Sequence, residues 1–142
     1  APNVMIGYWK KTQETQETFQ EGWFLTGDCA RRDKEGYIYI VGRKKDVIIT
    51  GGENVYPVEV EQVLYRHPNI KEVAVVGVPN KKWGEAIKAV IVLKELSQCI
   101  SIDGIKAFCE GKLARYKMPK ILEVVSALPR NAAGKVLKSS LR

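Results

Sequence analysis

The sequence contains one histidine and three cysteines among its 142 residues, and this scarcity excludes several classes of protein. The cysteines (Cys29, Cys99 and Cys109) are odd in number and form no Cys-x-x-Cys pair. Such usage argues against a disulfide scaffold or a structural zinc site and favours a reducing, cytoplasmic compartment. Because cysteine and histidine ligands are so few, we also expect no resident metal ion. A Ser-His-Asp hydrolase is disfavoured because His67 is the only candidate base.

Long apolar runs are also missing. The most apolar stretches, Val73–Val76 and Ala89–Leu93, are the length of strands, whereas a helix needs about 20 apolar residues to cross a bilayer. The N-terminus has no basic segment followed by an apolar one, as a signal peptide would. We expect a cytoplasmic protein with no transmembrane segment, at most peripheral at a membrane.

The composition is that of an ordinary globular protein, with 45% hydrophobic and 27% charged residues. Its length suits one compact domain, or a small domain with a short flanking piece. Lysine and arginine exceed the acidic residues by 23 to 16, which gives a net charge of +7. Such a surface attracts nucleic acid, acidic membrane or a phosphorylated cofactor, but it also serves solubility alone. The charge therefore does not choose a partner.

The first part of the chain predicts a short helix over Thr12–Phe19 and then a β-hairpin. The hairpin joins two β-rich runs, Trp23–Asp28 and Tyr37–Val41, through the polar turn Asp33–Gly36. The charged joint Gly42–Asp46 interrupts the pattern, and we expect a domain boundary there. A short strand over 47–49 and a loop over 50–54 are expected to follow it.

Two helices are predicted after the joint. The first opens at Pro57, whose fixed φ suits the first helical position, and ends near His67 before Pro68. The second starts near Ser101. The residues expected on its buried face are Ile102, Ile105, Cys109 and Leu113.

Three β-branched runs predict the sheet. Ile70–Val78 and Glu85–Leu93 are expected to pair as antiparallel strands, and Ile121–Val125 is a third strand. Val136–Leu141 resembles the start of a further helix. The order predicts an α+β fold: a small, largely antiparallel sheet flanked by helices, preceded by a β-hairpin.

Four ordered motifs carry the chemistry. They are Gly22–Asp28, Tyr39–Ile49, Gly51–Glu61 and Leu128–Lys135, which ends in Pro-Arg-Asn-Ala-Ala-Gly-Lys. Taken singly, each is weak, since a Gly-Gly pair or a Gly-Lys pair is usually only a turn. Their order along the chain is the informative feature.

Together these motifs resemble the C-terminal part of the adenylate-forming, AMP-binding superfamily, which includes acyl-CoA synthetases, peptide-synthetase adenylation domains and firefly-type luciferases. The Gly-Glu-Asn-Val-Tyr-Pro-Val-Glu version looks most like fatty-acid–CoA ligases. The family's phosphate loop, Thr-Ser-Gly-Thr-Thr-Gly-x-Pro-Lys, does not occur in the sequence. The resemblance implies that residues 1–42 end a large N-terminal adenylation domain and that residues 43–142 form a mobile lid. The fragment alone is expected to be inactive.

The resemblance also implies site residues. Asp28 matches the carboxylate that binds the ribose hydroxyls of ATP, and Arg43 matches an arginine of the ribose and phosphate region. Lys135 matches the catalytic lysine of acyl-adenylate formation, where an ammonium offsets the charge of carboxylate and phosphate. Lys45 lies at the family's hinge. The residues expected near coenzyme A are Lys44, Gly51, Gly52, Lys81 and Lys82.

The implied co-substrates are ATP, with Mg²⁺ held by the large domain, coenzyme A and a carboxylic acid. The expected protein partners are the large domain itself and a second copy of the chain, and no nucleic acid is expected. The alternatives are a peptide-synthetase adenylation domain, a luciferase-like enzyme, a basic nucleic-acid-binding module and a stand-alone interaction domain. Trp83, Tyr37 and Tyr39 are expected only to pack.

Overall fold

The computed structural model describes residues 2–95 and 99–142, which form two compact units. The first unit is Ala1–Lys44 and the second is Lys45–Arg142. The assignment of the first unit to a larger domain stays a prediction.

The first unit contains one helix and two hairpins. Its elements are α1 (Thr12–Thr18), β1 (Phe19–Gln20), β2 (Trp23–Phe24), β3 (Asp28–Arg32) and β4 (Ile38–Arg43). The pairs β1–β2 and β3–β4 are both antiparallel. The expected hairpin is therefore present, but its first strand begins at Asp28, because Trp23 and Phe24 pair with the strand before them.

The tyrosines of the first unit do not pack as expected. Tyr37 is 68% exposed and Tyr39 is 45% exposed. The hairpin has two strands, and the described residues of this unit lay no second layer over these rings. Asp33 closes the turn, since its Oδ1 accepts from the Tyr37 N–H at 2.8 Å.

The second unit is built on a mixed sheet. Its strands are β5 (Ile48–Thr50), β6 (Glu53–Val55), β7 (Ile70–Asn80), β8 (Gly84–Leu93) and β9 (Ile121–Val124), in the order β6-β5-β8-β7, with β9 also beside β8. All pairs are antiparallel except β8–β9, which is parallel. The antiparallel pairing of β7 and β8 is confirmed. Strand β6 replaces part of an expected loop, because its polar residues occupy an exposed edge.

Both faces of the sheet are buried, by different parts of the chain. On β7, Val73 and Val75 face one core, while Ala74 and Val76 face the other, as the two-residue period of a strand requires. Helices α2 (Pro57–Leu64) and α3 (Ile102–Cys109) cover the first face. The C-terminal segment covers the second with its buried leucines, Leu128 and Leu141. The predicted α+β fold, with a small, largely antiparallel sheet and helices packed against it, is confirmed.

Helix α2 begins at Pro57 as predicted, but it ends at Leu64, so His67 lies beyond it. The His67 ring instead packs edge-on against Phe108, with ring centroids 4.8 Å apart. Burial disfavours the imidazolium there, and the pKa of His67 is lowered.

Helix α3 starts where the sequence predicts, because the Ser101 Oγ accepts from the Gly104 N–H at 3.1 Å. It ends at Cys109, and Gly111 follows with φ +71°. Leu113 is buried as expected, but it reaches the core from the turn beyond the helix. Short 3-10 helices occur at Lys44–Asp46, Arg115–Lys117 and Lys138–Leu141. No helix within the described ranges, 2–95 and 99–142, has the length and apolar character needed to cross a bilayer.

An ion pair joins α2 to the segment after α3. The Lys117 Nζ lies 2.7 and 2.8 Å from the two carboxylate oxygens of Glu59, and this hydrogen bond raises the pKa of Lys117 above 10.5. The folded state binds the Lys117 proton more tightly than the unfolded state does. The ion pair therefore stabilises the folded state at pH values below the ordinary lysine pKa, and this stabilisation is lost as the pH rises through the raised pKa of Lys117.

We expect Glu59→Gln to lower the free energy of unfolding by about 1 kcal/mol at pH 7, since both partners keep some contact with water. The difference from wild type should vanish in the alkaline range where Lys117 deprotonates. Urea unfolding of both proteins over this pH range measures it. An equal difference at neutral and alkaline pH would contradict the assignment.

Candidate functional site

Lys135 occupies a loop whose backbone is tightly hydrogen-bonded. Arg130 and Val136 form a β-bridge across the base of the loop. Inside it, the Asn131 Oδ1 accepts from the Lys135 N–H at 2.9 Å, and the Asn131 N–H donates to the Lys135 carbonyl at 2.9 Å. Gly134 adopts φ +78°, a left-handed conformation that favours glycine. The loop therefore fixes the backbone of Lys135 while its side chain stays exposed.

Buried leucines on both sides tie this loop to the sheet. Leu128 precedes it and Leu141 follows it, and both lie in the second core. The Lys88 Nζ on β8 donates to the Leu141 carbonyl at 3.0 Å. Lys135 thus projects from a segment that is anchored to the sheet.

A cleft of about 400 Å³ opens beside Lys135 and brings it together with Lys45, the expected hinge residue. The Arg142 guanidinium donates to the Lys45 carbonyl at 3.2 Å and lies 4.0 Å from the Asp46 carboxylate. The lining residues are Lys45, Asp46, Asn131, Lys135, Val136, Leu137, Lys138, Ser139 and Arg142. Four of the nine are cationic and one is acidic, so the cleft suits an anion.

Asp28 and Arg43, the expected nucleotide ligands, are brought together across the β3–β4 hairpin. Their Cα atoms are partners in the ladder, and the Arg43 Nε lies 2.8 Å from the Asp28 Oδ1. Arg43 also donates to the Thr26 carbonyl at 2.9 Å. The pair presents a carboxylate and a guanidinium side by side. The carboxylate can accept hydrogen bonds from hydroxyl groups, and the guanidinium can bind a phosphate.

Gly51 and Gly52 form the two-residue turn of the β5–β6 hairpin. Their φ values are +61° and +84°, which such hairpin turns require. A Cβ on Gly51 would lie 2.9 Å from the Trp83 Cε3, whereas a Cβ on Gly52 would meet nothing within 4 Å. The Gly51 N–H also donates to the Trp83 carbonyl at 2.9 Å. Gly51 is therefore needed for contact with Trp83, and Gly52 leaves open space.

Trp83 carries two lysines, and the sequence analysis missed this feature. The Lys120 Nζ lies 4.4 Å from the centroid of the Trp83 ring and the Lys82 Nζ lies 5.0 Å from it. Trp83 is 42% exposed, so part of its ring is accessible to solvent. We call Trp83, Lys82 and Lys120 the tryptophan platform. Lys81 lies exposed in the same turn, whereas Lys44 belongs to the first unit.

The Lys135 loop and the tryptophan platform lie at opposite ends of β7. Glu72, at the start of this strand, contacts the loop through Arg130, and Asn80, at its end, accepts from the Trp83 N–H. Eight residue steps at about 3.3 Å each separate these anchors by roughly 26 Å. The anchors of the two groups are therefore well separated along the sheet.

Among residues 2–95 and 99–142, no group of three or more histidine, cysteine, aspartate or glutamate side chains could hold a metal ion. The charged groups that the described site residues offer are the Asp28 carboxylate and several lysine and arginine side chains.

Known proteins share the sequence and the fold of this chain. The family model "AMP-binding enzyme C-terminal domain" matches residues 59–135. A feruloyl-CoA synthase from Amycolatopsis sp is 47% identical over 99% of this chain, and the chain spans 28% of its length. The long-chain-fatty-acid–CoA ligase FadD13 of Mycobacterium tuberculosis is 47% identical over 95% of the chain, which spans 26% of that enzyme.

A solved structure agrees with these relatives. The o-succinylbenzoate CoA synthetase MenE of Bacillus subtilis, in complex with the acyl-adenylate intermediate OSB-AMP, superposes with a TM-score of 0.92 at 42% identity. The match covers 99% of this chain and 28% of the MenE chain. Since the family model matches more than half of the chain, the protein belongs to the family of AMP-binding enzyme C-terminal domains.

Proposed function

We propose that this chain is the C-terminal part of an ATP-dependent acyl-CoA ligase. The enzyme activates a carboxylic acid as its acyl-adenylate and transfers the acyl group to coenzyme A. The observation that carries the proposal is the exposed Lys135 on a fixed backbone within a domain of this family. The similar proteins act on feruloyl, fatty-acyl and succinylbenzoyl groups, and we propose a fatty acid as the first substrate to test.

In the first half-reaction the acid attacks the α-phosphorus of ATP and pyrophosphate leaves. The Lys135 ammonium bridges the carboxylate and the phosphate, which brings two anions together at reduced electrostatic cost. Asp28 accepts hydrogen bonds from the ribose hydroxyls, and Arg43 supports the ribose and phosphate region. The Mg²⁺ that accompanies ATP is held by residues outside this chain.

In the second half-reaction the thiol of coenzyme A attacks the adenylate and AMP leaves. The adenine of coenzyme A stacks on Trp83, and the lysines around it bind the phosphates. These lysines are Lys81, Lys82 and Lys120; a role of Lys44, which belongs to the first unit, stays a prediction. The Gly51–Gly52 turn leaves room for the pantetheine arm.

The anchors of the Lys135 loop and of the tryptophan platform, Glu72 and Asn80, lie roughly 26 Å apart along β7, so the two groups are presented at opposite ends of the sheet. We propose that the unit rotates at Lys45 between the two half-reactions. A hinge needs only a few residues that change φ and ψ. Lys45 begins the second unit and is a solvated residue at the start of the rotating body.

The test uses the chain joined to the large domain of its parent enzyme. ATP–pyrophosphate exchange should depend on an added carboxylic acid, and release of the acyl thioester should depend on coenzyme A. Exchange without any CoA-dependent release would favour a peptide-synthetase adenylation domain. Salt-dependent binding of a random oligonucleotide, with no exchange, would overturn the proposal in favour of a nucleic-acid-binding module.

We expect Trp83→Ala to raise the KM for coenzyme A by about tenfold, because a stacked base is worth about 1–3 kcal/mol. The rate of ATP–pyrophosphate exchange should stay unchanged. Steady-state kinetics with varied coenzyme A measures both effects. The control is Lys112→Ala, which disrupts a different contact between a lysine and an aromatic ring. The Lys112 Nζ lies 3.4 Å from the centroid of the Phe108 ring, and Phe108 lies on helix α3. An unchanged KM in the Trp83 variant would remove the platform from the site.

A further inference from the structure

Arg130 links the Lys135 loop to the sheet. Its Nη1 donates to the Gly134 carbonyl at 2.8 Å, and its Nη2 donates to the Glu72 Oε2 at 2.5 Å. One planar guanidinium thus holds two acceptors in a fixed fork, which a lysine cannot do. The Glu72 side chain is 26% exposed, so water screens this pair only in part.

The bond to Gly134 acts on the peptide group that immediately precedes the Lys135 Cα. The carbonyl of this peptide accepts from Arg130, and its N–H, which belongs to Lys135, donates to the Asn131 Oδ1 at 2.9 Å. Both polar ends of the Gly134–Lys135 peptide are therefore held. Since the Lys135 carbonyl also accepts from the Asn131 N–H at 2.9 Å, rotation about the backbone bonds of Lys135 is restricted, and so is the direction in which its side chain leaves the backbone.

Glu72 supplies a rigid base for this arrangement. It lies on β7 opposite Val92 of β8, in the longest ladder of the sheet, and next to Val73, which is buried in the core. On the far side of the loop, Lys138 pairs with Glu61 at 2.7 Å, and the same Glu61 oxygen accepts from the Val75 N–H of β7. The loop is thus held to the body of the unit on both sides.

We propose that Glu72 is a positioning residue for Lys135 and acts through Arg130. The inference rests on the proposed function of Lys135 and extends it. Glu72 orients the guanidinium, Arg130 fixes the Gly134–Lys135 peptide, and the ammonium reaches the adenylation centre in one direction. Because thioester formation uses the other end of β7, Glu72 matters to the first half-reaction alone.

Glu72→Gln tests this with little change in size. Without its charge-assisted partner Arg130 is free to leave the Gly134 carbonyl. In the 142-residue chain, hydrogen exchange of the Lys135 amide should become about tenfold faster. In the enzyme joined to its large domain, acyl-adenylate formation should be about tenfold slower, since small misplacements of a reacting group are costly. Thioester formation from supplied acyl-adenylate should be unchanged.

The control is Glu59→Gln, which removes a comparable ion pair on α2 and should leave the Lys135 amide and both half-reactions as they are. Arg130→Lys should reproduce the Glu72→Gln effects, and it also serves if the first variant folds poorly. An unchanged Lys135 amide, or an equal loss in both half-reactions, would overturn the positioning role.

The two proposals fail separately. If Lys135→Ala leaves adenylation unchanged, the proposed role of Lys135 is wrong, whereas the amide exchange still decides whether Glu72 fixes the loop.

Discussion

Replacing Lys135 with alanine is expected to slow acyl-adenylate formation by about 10²–10³-fold in the enzyme joined to its large domain. An ammonium placed where negative charge accumulates stabilises the transition state more than the bound substrates. Nucleotide affinity should change by less than about threefold, because ground-state binding depends on other groups. Single-turnover formation of the adenylate, together with equilibrium binding of ATP, measures the two quantities.

The same variant should still form thioester at the normal rate from supplied acyl-adenylate, because the proposed rotation turns Lys135 away from the reaction centre for this step. The control is Lys106→Ala, which removes an exposed lysine that pairs with Asp103 on α3. If adenylate formation falls equally in both variants, the loss is one of general surface charge. If it falls in neither, Lys135 does not act in this step.

Leu64→Ala is expected to lower the free energy of unfolding of the chain by about 3 kcal/mol. Leu64 is fully buried at the end of α2, in the core between the helices and the sheet. Removing its branched end loses the transfer free energy and leaves a cavity that the strand cannot fill, because β7 and β8 are held in a long ladder. Urea unfolding, monitored by far-UV circular dichroism, gives the value.

Val63→Ala on the same helix is the matched control. Val63 is only partly buried at the edge of this core, so the variant should lose about 1 kcal/mol. Equal losses in the two variants would mean that Leu64 does not fill the core as its burial implies.

Local patterns were sufficient to predict most elements of the second unit. Strands β7 and β8 are long runs rich in β-branched residues, which strongly favour strands. Pro57 marks a helix start by its fixed φ, and Ser101 marks one by its capping side chain. Strand β6 was missed because an edge strand tolerates Glu53 and Asn54, which read as a loop. The parallel pairing of β9 was not predictable, since it depends on where α3 returns the chain.

Site residues that lie within a sequence motif could be predicted, whereas contacts between residues far apart in the sequence could not. The motifs located Lys135, Lys45 and the two glycines, which the structure places in the exposed loop, the cleft and the hairpin turn. The pairing of Glu72 with Arg130 joins residues 58 positions apart, and no local pattern marks it. The contact of Lys120 with Trp83 likewise depends on the tertiary fold.

The Lys135 loop and the tryptophan platform are anchored at opposite ends of the same strand pair, β7 and β8. In the proposed rotation about Lys45 both groups therefore move together, and neither can change its position without the other. A small molecule bound in the cleft beside Lys45 would therefore block the proposed rotation, after adenylate formation and before thioester formation. Its signature would be trapped adenylate with one equivalent of pyrophosphate released, rather than a failure to consume ATP.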